Sequence, residues 1–224
     1  MMFLIVNCFT QQMPQTPPRA APHKPSKAQI QNRVRIIGGV WRSRIIEFPD
    51  LSGLRPTADR VRETLFNWLG QTLQEKRCLD LFAGSGALGF EAASRGAQSV
   101  TMVETAPLAL AALRRNRERL GAAQCEIVGE DASKVLASVR QRFDVIFIDP
   151  PFSTELLPAM LPKLVDCLNP GGMVYAEWRE ALPDVIALLK HNPWEVRRSG
   201  RAGAAHFALL SRVEIPSSTH EVTS

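Results

Sequence analysis

Cysteine is scarce in this 224-residue chain, and its four copies, Cys8, Cys78, Cys125 and Cys167, stand far apart with no C-x-x-C pair. That spacing implies no disulfide framework and no zinc site, and it fits the cytosol. Cys78 and Cys125 fall in apolar, strand-like runs, where a buried free thiol is expected. Long apolar runs are also missing. Nothing approaches the ~18 residues of a membrane span. The opening Met1-Met2-Phe3-Leu4-Ile5-Val6 lacks a basic flank and falls short of the ~7–15 residue core of a signal peptide. The expectation is a soluble, cytoplasmic protein, with Met13 as an alternative start. No His or Cys cluster offers a metal site, no internal repeat is visible, and no segment is large enough for a separate DNA-recognition domain.

Acidic residues are thin at one end. Residues 1–62 hold ten Lys and Arg against three Asp and Glu, whereas residues 63–224 hold seventeen against nineteen. The net charge of +5 is therefore N-terminal in origin. Such asymmetry suits nucleic acid or another anionic partner, and equally a solvated tail. Pro14, Pro17, Pro18, Pro22 and Pro25 mark residues 1–32 as a disordered leader. Order should begin near Arg33. Val34–Ile37 and Arg44–Phe48 read as two strands joined at Gly38-Gly39, a basic hairpin bearing Arg33, Arg35, Arg42 and Arg44. Trp41, between the arginines, could stack on a base or cover the sheet. Leu54-Arg55-Pro56-Thr57 breaks the chain and starts a helix, with Val61, Leu65, Trp68 and Leu69 on its apolar face.

From residue 77 strands and helices alternate. Strands are expected at 78–83, 99–103, 125–128, 143–148 and 173–177, with helices at 87–95, 108–120, 132–140, 156–168 and 182–190. Pro170-Gly171-Gly172 reads as a turn into the fifth strand. Two last strands at 194–198 and 206–210 form a hairpin around Gly200 and Gly203. The alternation implies an α/β fold, a doubly wound, mostly parallel sheet of seven strands with an antiparallel edge hairpin. A basic hairpin and helix over 33–70 precede the main domain of 71–214, and 215–224 is a disordered tail. Asp144, just before the fourth strand, reads as a surface turn residue.

Gly84-Ser85-Gly86-Ala87-Leu88-Gly89 matches G-x-G-x-x-G after the first strand of the alternating region. By itself this says only that backbone approaches a ligand closely. Glu104 ends the second strand, where a carboxylate can hold ribose hydroxyls. A nicotinamide dehydrogenase would share both features. Asp80 argues against it, because a carboxylate beside the loop would repel a pyrophosphate. S-adenosylmethionine carries no phosphate, and its cationic methionine end is attracted by an acid. Asp131, after the third strand, could accept from an adenine amine. It and Glu130 serve equally as helix caps.

Asp149-Pro150-Pro151-Phe152 follows the apolar run Val145–Ile148. The prolines offer carbonyls and no N–H, Asp149 adds acceptor oxygens, and Phe152 adds a flat apolar face. Such a rigid site suits a planar group bearing N–H donors, for example a nucleobase amine. A rigid turn leaving a strand is the plainer alternative.

Asp80-Leu81-Phe82-Ala83-Gly84-Ser85-Gly86 and Asp149-Pro150-Pro151-Phe152, at this separation, resemble the S-adenosylmethionine-dependent amino methyltransferases of nucleic acids. Arg35-Ile36-Ile37-Gly38-Gly39, Leu54-Arg55-Pro56-Thr57 and Asp59–Asn67 are similar to the RsmD family, over roughly residues 33–212. Ser43 departs from the glycine that family usually has there. The resemblance implies a Rossmann-like class I fold and methyl transfer to N2 of a guanine in 16S ribosomal RNA. The substrate would be an assembled or partly assembled small subunit, and the enzyme a monomer. Asp149, Pro150, Pro151 and Phe152 would be catalytic. Asp80, Phe82, Ala83, Gly84, Gly86, Glu104, Asp131 and Ala132 would hold S-adenosylmethionine. Arg33, Arg35, Arg42, Arg44, Arg60 and Arg62 would meet RNA, with Thr57, Arg60 and Arg62 also suiting the cofactor carboxylate. No metal is called for. Adenine-N6 methylation of DNA and a non-catalytic RNA-binding role are the alternatives.

Overall fold

The computed structural model describes residues 32–50, 58–150, 156–178 and 193–213. The proline-rich leader, Leu54–Thr57, Pro151, Phe152, the expected helix at 182–190 and the tail at 215–224 lie outside the described residues. Strands β1 (Asn32–Arg35) and β2 (Ile45–Phe48) pair antiparallel, with Asn32 opposite Phe48 and Arg35 opposite Ile45. Helix α1 (Asp59–Trp68) follows, burying Val61, Leu65 and Phe66 on the face that its apolar spacing defines.

Strands and helices then alternate through β3 (Arg77–Asp80), α2 (Ala87–Ser94), β4 (Ser99–Val103), α3 (Pro107–Leu120) and β5 (Cys125–Val128). They continue through α4 (Ala132–Ser138), β6 (Phe143–Ile148), α5 (Leu156–Leu164), β7 (Leu168–Trp178), β8 (Trp194–Ala202) and β9 (Ala205–Arg212). The seven-stranded sheet has the order β5-β4-β3-β6-β7-β9-β8. Its first five strands are parallel, and β9 pairs antiparallel with both β7 and β8. The chain winds outward from β3 to β5 and returns to β6 on the other side of β3. The crevice beyond the carboxyl ends of β3 and β6 is thus the switch point, where open α/β sheets bind ligands.

Each face of the sheet covers its own apolar cluster. One holds Phe66, Phe90, Phe147, Tyr175 and Phe207, together with Val34, Ile36, Trp41, Ile46 and Phe48 of the hairpin. The other holds Ile146, Ile148, Val174, Ala176 and Trp194 under α4 and α5. Hairpin, α1 and sheet therefore share one core. Trp41 is buried in it, which takes its ring out of reach of a base.

Three local expectations are corrected. Pro170-Gly171-Gly172 is not a turn before a strand, because β7 runs unbroken from Leu168 to Trp178. Phe143 pairs with Leu168 and Val145 with Met173, so the extra residues of β7 bulge out, aided by Gly171 at φ +71°. Asp144 is no idle turn residue. Its Oδ2 accepts from the Arg77 amide at 2.8 Å and its Oδ1 from Asn169 Nδ2 at 3.1 Å, tying the start of β3 to that bulge. Gly200 likewise lies within β8, and the turn falls at Gly203, with φ +61°.

Candidate active site

Strand β3 stops at Asp80, three residues earlier than its apolar run suggests, because the chain lifts into the glycine loop. The loop stays tied to both neighbours. The Leu81 amide donates to the Phe147 carbonyl at 3.1 Å, and the Ala83 amide to the Val103 carbonyl at 2.9 Å. Gly84 and Gly86 take φ of +50° and +82°, which L side chains rarely adopt. A Cβ on Gly86 would also come within 2.6 Å of the Phe90 ring, so this glycine lets the loop close onto α2. Phe82 is half-buried and Ala83 buried along the same stretch.

Three acids stand at or just beyond the ends of three successive strands. Asp80 is 1% exposed, and its Oδ2 accepts from the Gly89 amide at 3.0 Å, which fixes the first turns of α2. Burial pushes its carboxyl up to about 7, against the pull of the Gly89 and Phe82 amides, and the nearby Glu104 charge adds to the rise. Glu104 is half-buried. It accepts from the Gly84 amide at 2.9 Å through Oε2, and from Thr105 and Ala106 at 2.7 and 2.8 Å through Oε1. Its carboxylate thus joins the glycine loop to the start of α3. Asp131 caps α4, with Oδ1 accepting from the Ser133 and Lys134 amides at 2.9 and 3.3 Å, and Ala132 is buried as the first helical residue. Glu104 and Asp131 thus put two carboxylates at the rim of the crevice, with Asp80 enclosed beneath them, and an acidic rim repels a pyrophosphate.

Across the crevice, β6 delivers Asp149 and Pro150, both half-buried. On the next strand, Tyr175 is fully buried and donates its hydroxyl to Glu177 Oε2 at 3.0 Å. Burial, then the charges of Glu177 and Asp149, hold its phenol well above the ordinary range, so it stays a donor. Sequence reasoning misses both Glu177 and Tyr175. A signal for the first is present, since Glu177 is an acid closing an apolar strand run, as at Asp80, Glu104 and Asp149.

The six arginines do not act together. Arg62 is fully buried and cannot meet RNA. Its guanidinium donates to Asp59 Oδ1 at 2.6 Å, to Glu91 Oε2 at 3.3 Å and to the Arg35 carbonyl at 2.9 Å. Helical spacing sets it one position after the apolar Val61, on the inward side of α1, where a buried acid waits for it. That acid, Glu91, is also fully buried and accepts from the Ile37 and Gly38 amides at 2.8 Å each and from Arg95 Nε at 2.9 Å. Arg33, Arg35, Arg42, Arg44 and Arg60 are exposed. Arg33 pairs with Glu47 at 3.3 Å, and Arg44 Nη2 donates to the Arg119 carbonyl at 3.0 Å.

Thiol chemistry is absent from the crevice among the described residues. Burial pushes Cys78 and Cys125 up to about 12, too high for a thiolate nucleophile at neutral pH. Among the described residues no cluster of His, Cys, Asp and Glu could hold a metal ion, and no helix is long and apolar enough to cross a membrane.

The family model described as conserved hypothetical protein 95 matches residues 34–211. Ribosomal RNA small subunit methyltransferase D of Escherichia coli is 40% identical over 184 residues, covering 80% of this chain and 90% of the relative. Its Haemophilus influenzae namesake is 36% identical over 185 residues, covering 80% and 94%. A solved Escherichia coli structure, 37% identical, superposes with a TM-score of 0.69 over 81% of this chain and 98% of its own. Ribosomal protein L11 methylase of Lactobacillus delbrueckii, 23% identical with a TM-score of 0.60, shares the fold alone, over 72% of this chain and 84% of its own. A Rossmann-like sheet whose switch point is rimmed by acids is thus found in a chain that belongs to the RsmD family of methyltransferases.

Proposed function

We propose that this protein methylates the exocyclic N2 amine of one guanine in 16S ribosomal RNA, using S-adenosylmethionine. The observation that carries the reading is the position of Asp149 and Pro150 across the switch-point crevice from the acid-rimmed glycine loop. The small-subunit RNA target rests on the names of the relatives. Glu104 and Asp131, with the backbone from Phe82 to Gly86 and Ala132, are the residues that would hold the cofactor, and Asp80 steadies the start of α2 beneath them through the Gly89 amide. When bound, S-adenosylmethionine supplies an electrophilic methyl group.

The guanine amine is a weak nucleophile because its lone pair is delocalised into the ring. Asp149 and the Pro150 carbonyl accept its two N–H groups and hold the nitrogen as it becomes tetrahedral. Both bonds strengthen as positive charge develops there, so they favour the transition state over the ground state. Asp149 then takes the proton that the methylated nitrogen sheds. Phe152, outside the described residues, supplies the stacking face. The enzyme works as a monomer on an assembled or partly assembled small subunit, with the exposed arginines meeting phosphates.

One genetic experiment tests this. Deleting the gene should remove one N2-methylguanosine from digested 16S RNA, read by mass spectrometry. The wild-type gene should restore it and Asp149→Ala should not, although the purified variant still binds S-adenosylmethionine by calorimetry. An unchanged nucleoside profile in the deletion strain sinks the proposal.

A further inference from the structure

The crevice carries a second carboxylate that the reaction above does not use. Strands β6 and β7 run parallel, with Phe147 beside Tyr175 and Ile148 beside Ala176. One further step in that register sets Asp149 beside Glu177, on strands ~4.8 Å apart. Side chains alternate between faces, so Asp149 shares the face of Phe147, and Glu177 the face of Tyr175. Those two rings meet edge-on at 6.5 Å, which confirms one common face. Both acids are half-buried at its rim. The Tyr175 hydroxyl donates to Glu177 Oε2 at 3.0 Å, which aims the carboxylate from beneath.

Two neighbouring acceptors match one purine edge and clash with others. Guanine presents the ring N1–H beside its N2 amine, two donors in a row. Adenine and 2-aminopurine both present an amine beside an unprotonated N1, a donor next to an acceptor. We infer that Glu177 accepts from the N1–H of the guanine whose amine Asp149 holds, and so selects guanine; the inference rests on the guanine reading above. Tyr175 is a positioning residue that aims Glu177. A carboxylate facing the N1 lone pair of the wrong base is left unpaired and repelled, which is how a site built for an N–H rejects its absence.

The test uses full-length protein and small subunits reconstituted from ligated 16S RNA with guanine or 2-aminopurine at the target nucleotide. 2-Aminopurine keeps the 2-amine and lacks N1–H. Wild-type kcat/KM should favour guanine by about tenfold or more, within the range for one good base-reading pair. Glu177→Gln can turn its amide N–H toward N1, so it should narrow that ratio about tenfold. Intrinsic differences between the two amines cancel in the comparison of variants. Tyr175→Phe should narrow the ratio too, with S-adenosylmethionine affinity unchanged. Equal wild-type use of both bases, or a ratio unmoved in Glu177→Gln, overturns the inference and leaves guanine methylation standing. Failure of the wild type to methylate the guanine RNA overturns both.

Discussion

Asp80 is a carboxyl that the fold keeps costly to ionise. It is fully enclosed, and the hydrogen bonds that answer it come from the neutral amides of Gly89 and Phe82. Its carboxyl sits at about 7 in the folded chain, against 3.8 when unperturbed. The folded state therefore binds the proton more tightly than the unfolded state between these values, and stability contributed by the protonated form is lost as pH rises from about 4 to 7. Asp80→Asn keeps an acceptor for the Gly89 amide and never ionises. The variant should gain on wild type across that interval, by on the order of 1–4 kcal/mol at pH 8 relative to pH 4. Urea unfolding of the ligand-free proteins at both pH values measures it. Parallel stability profiles would show that Asp80 ionises as an ordinary surface acid.

At the scale of elements, the hairpin is fastened by polar groups as much as by its apolar face. Ser94 Oγ accepts from the Trp41 amide at 2.9 Å and donates to the Gly38 carbonyl at 2.6 Å. Asn116 Nδ2 donates to the Glu47 carbonyl at 2.8 Å, and Arg119 donates to the Ile45 carbonyl. Glu91 is the centre of this fastening. Glu91→Ala would strip a buried arginine of one partner and leave the Ile37 and Gly38 amides unanswered. A loss of about 3–5 kcal/mol is expected, by analogy with other broken buried pairs. Chemical denaturation measures it, and limited proteolysis should cut first in the hairpin. The hairpin itself was legible in the sequence, since Gly38-Gly39 separates two β-rich runs. So were β4, β5 and β6, whose apolar runs end at turn residues. Arg62 was not legible as structural, because its neighbour Arg60 is exposed and nothing local tells the two apart; the difference lies in Glu91, 29 residues on. The β7 bulge was also hidden, because Pro-Gly-Gly suits a turn and a bulge alike.

At the scale of the molecule, Arg42 and Arg44 of the hairpin and the Asp149 rim lie at opposite edges of the sheet. Helices that follow parallel strands run back, so α2 and α3 end at the amino edge, away from Asp149. The hairpin turn is held there, with the Val40 amide on the Ser94 carbonyl at 2.8 Å and Arg44 on the Arg119 carbonyl. Arg42 and Arg44 therefore lie at the far edge. Arg60, in the first turn of α1, is nearer the crevice, because the segment after α1 bonds to Arg95 at the end of α2. Exposed Arg114, Arg115 and Arg117 on α3 fill the interval between the edges. That helix has 14 residues, a span of about 21 Å. An RNA that places a base over Asp149 must extend at least this far along the flank to reach Arg42 and Arg44, which the small-subunit RNA does and a fragment shorter than that span does not. Replacing both arginines with alanine should weaken binding to the small subunit and flatten its salt dependence, by about 0.7–0.9 in slope for each phosphate no longer neutralised. Binding of a short hairpin that carries only the target loop should not change. Filter binding across a salt series reads both. An unaltered slope on the subunit would mean that the far edge faces solvent during catalysis.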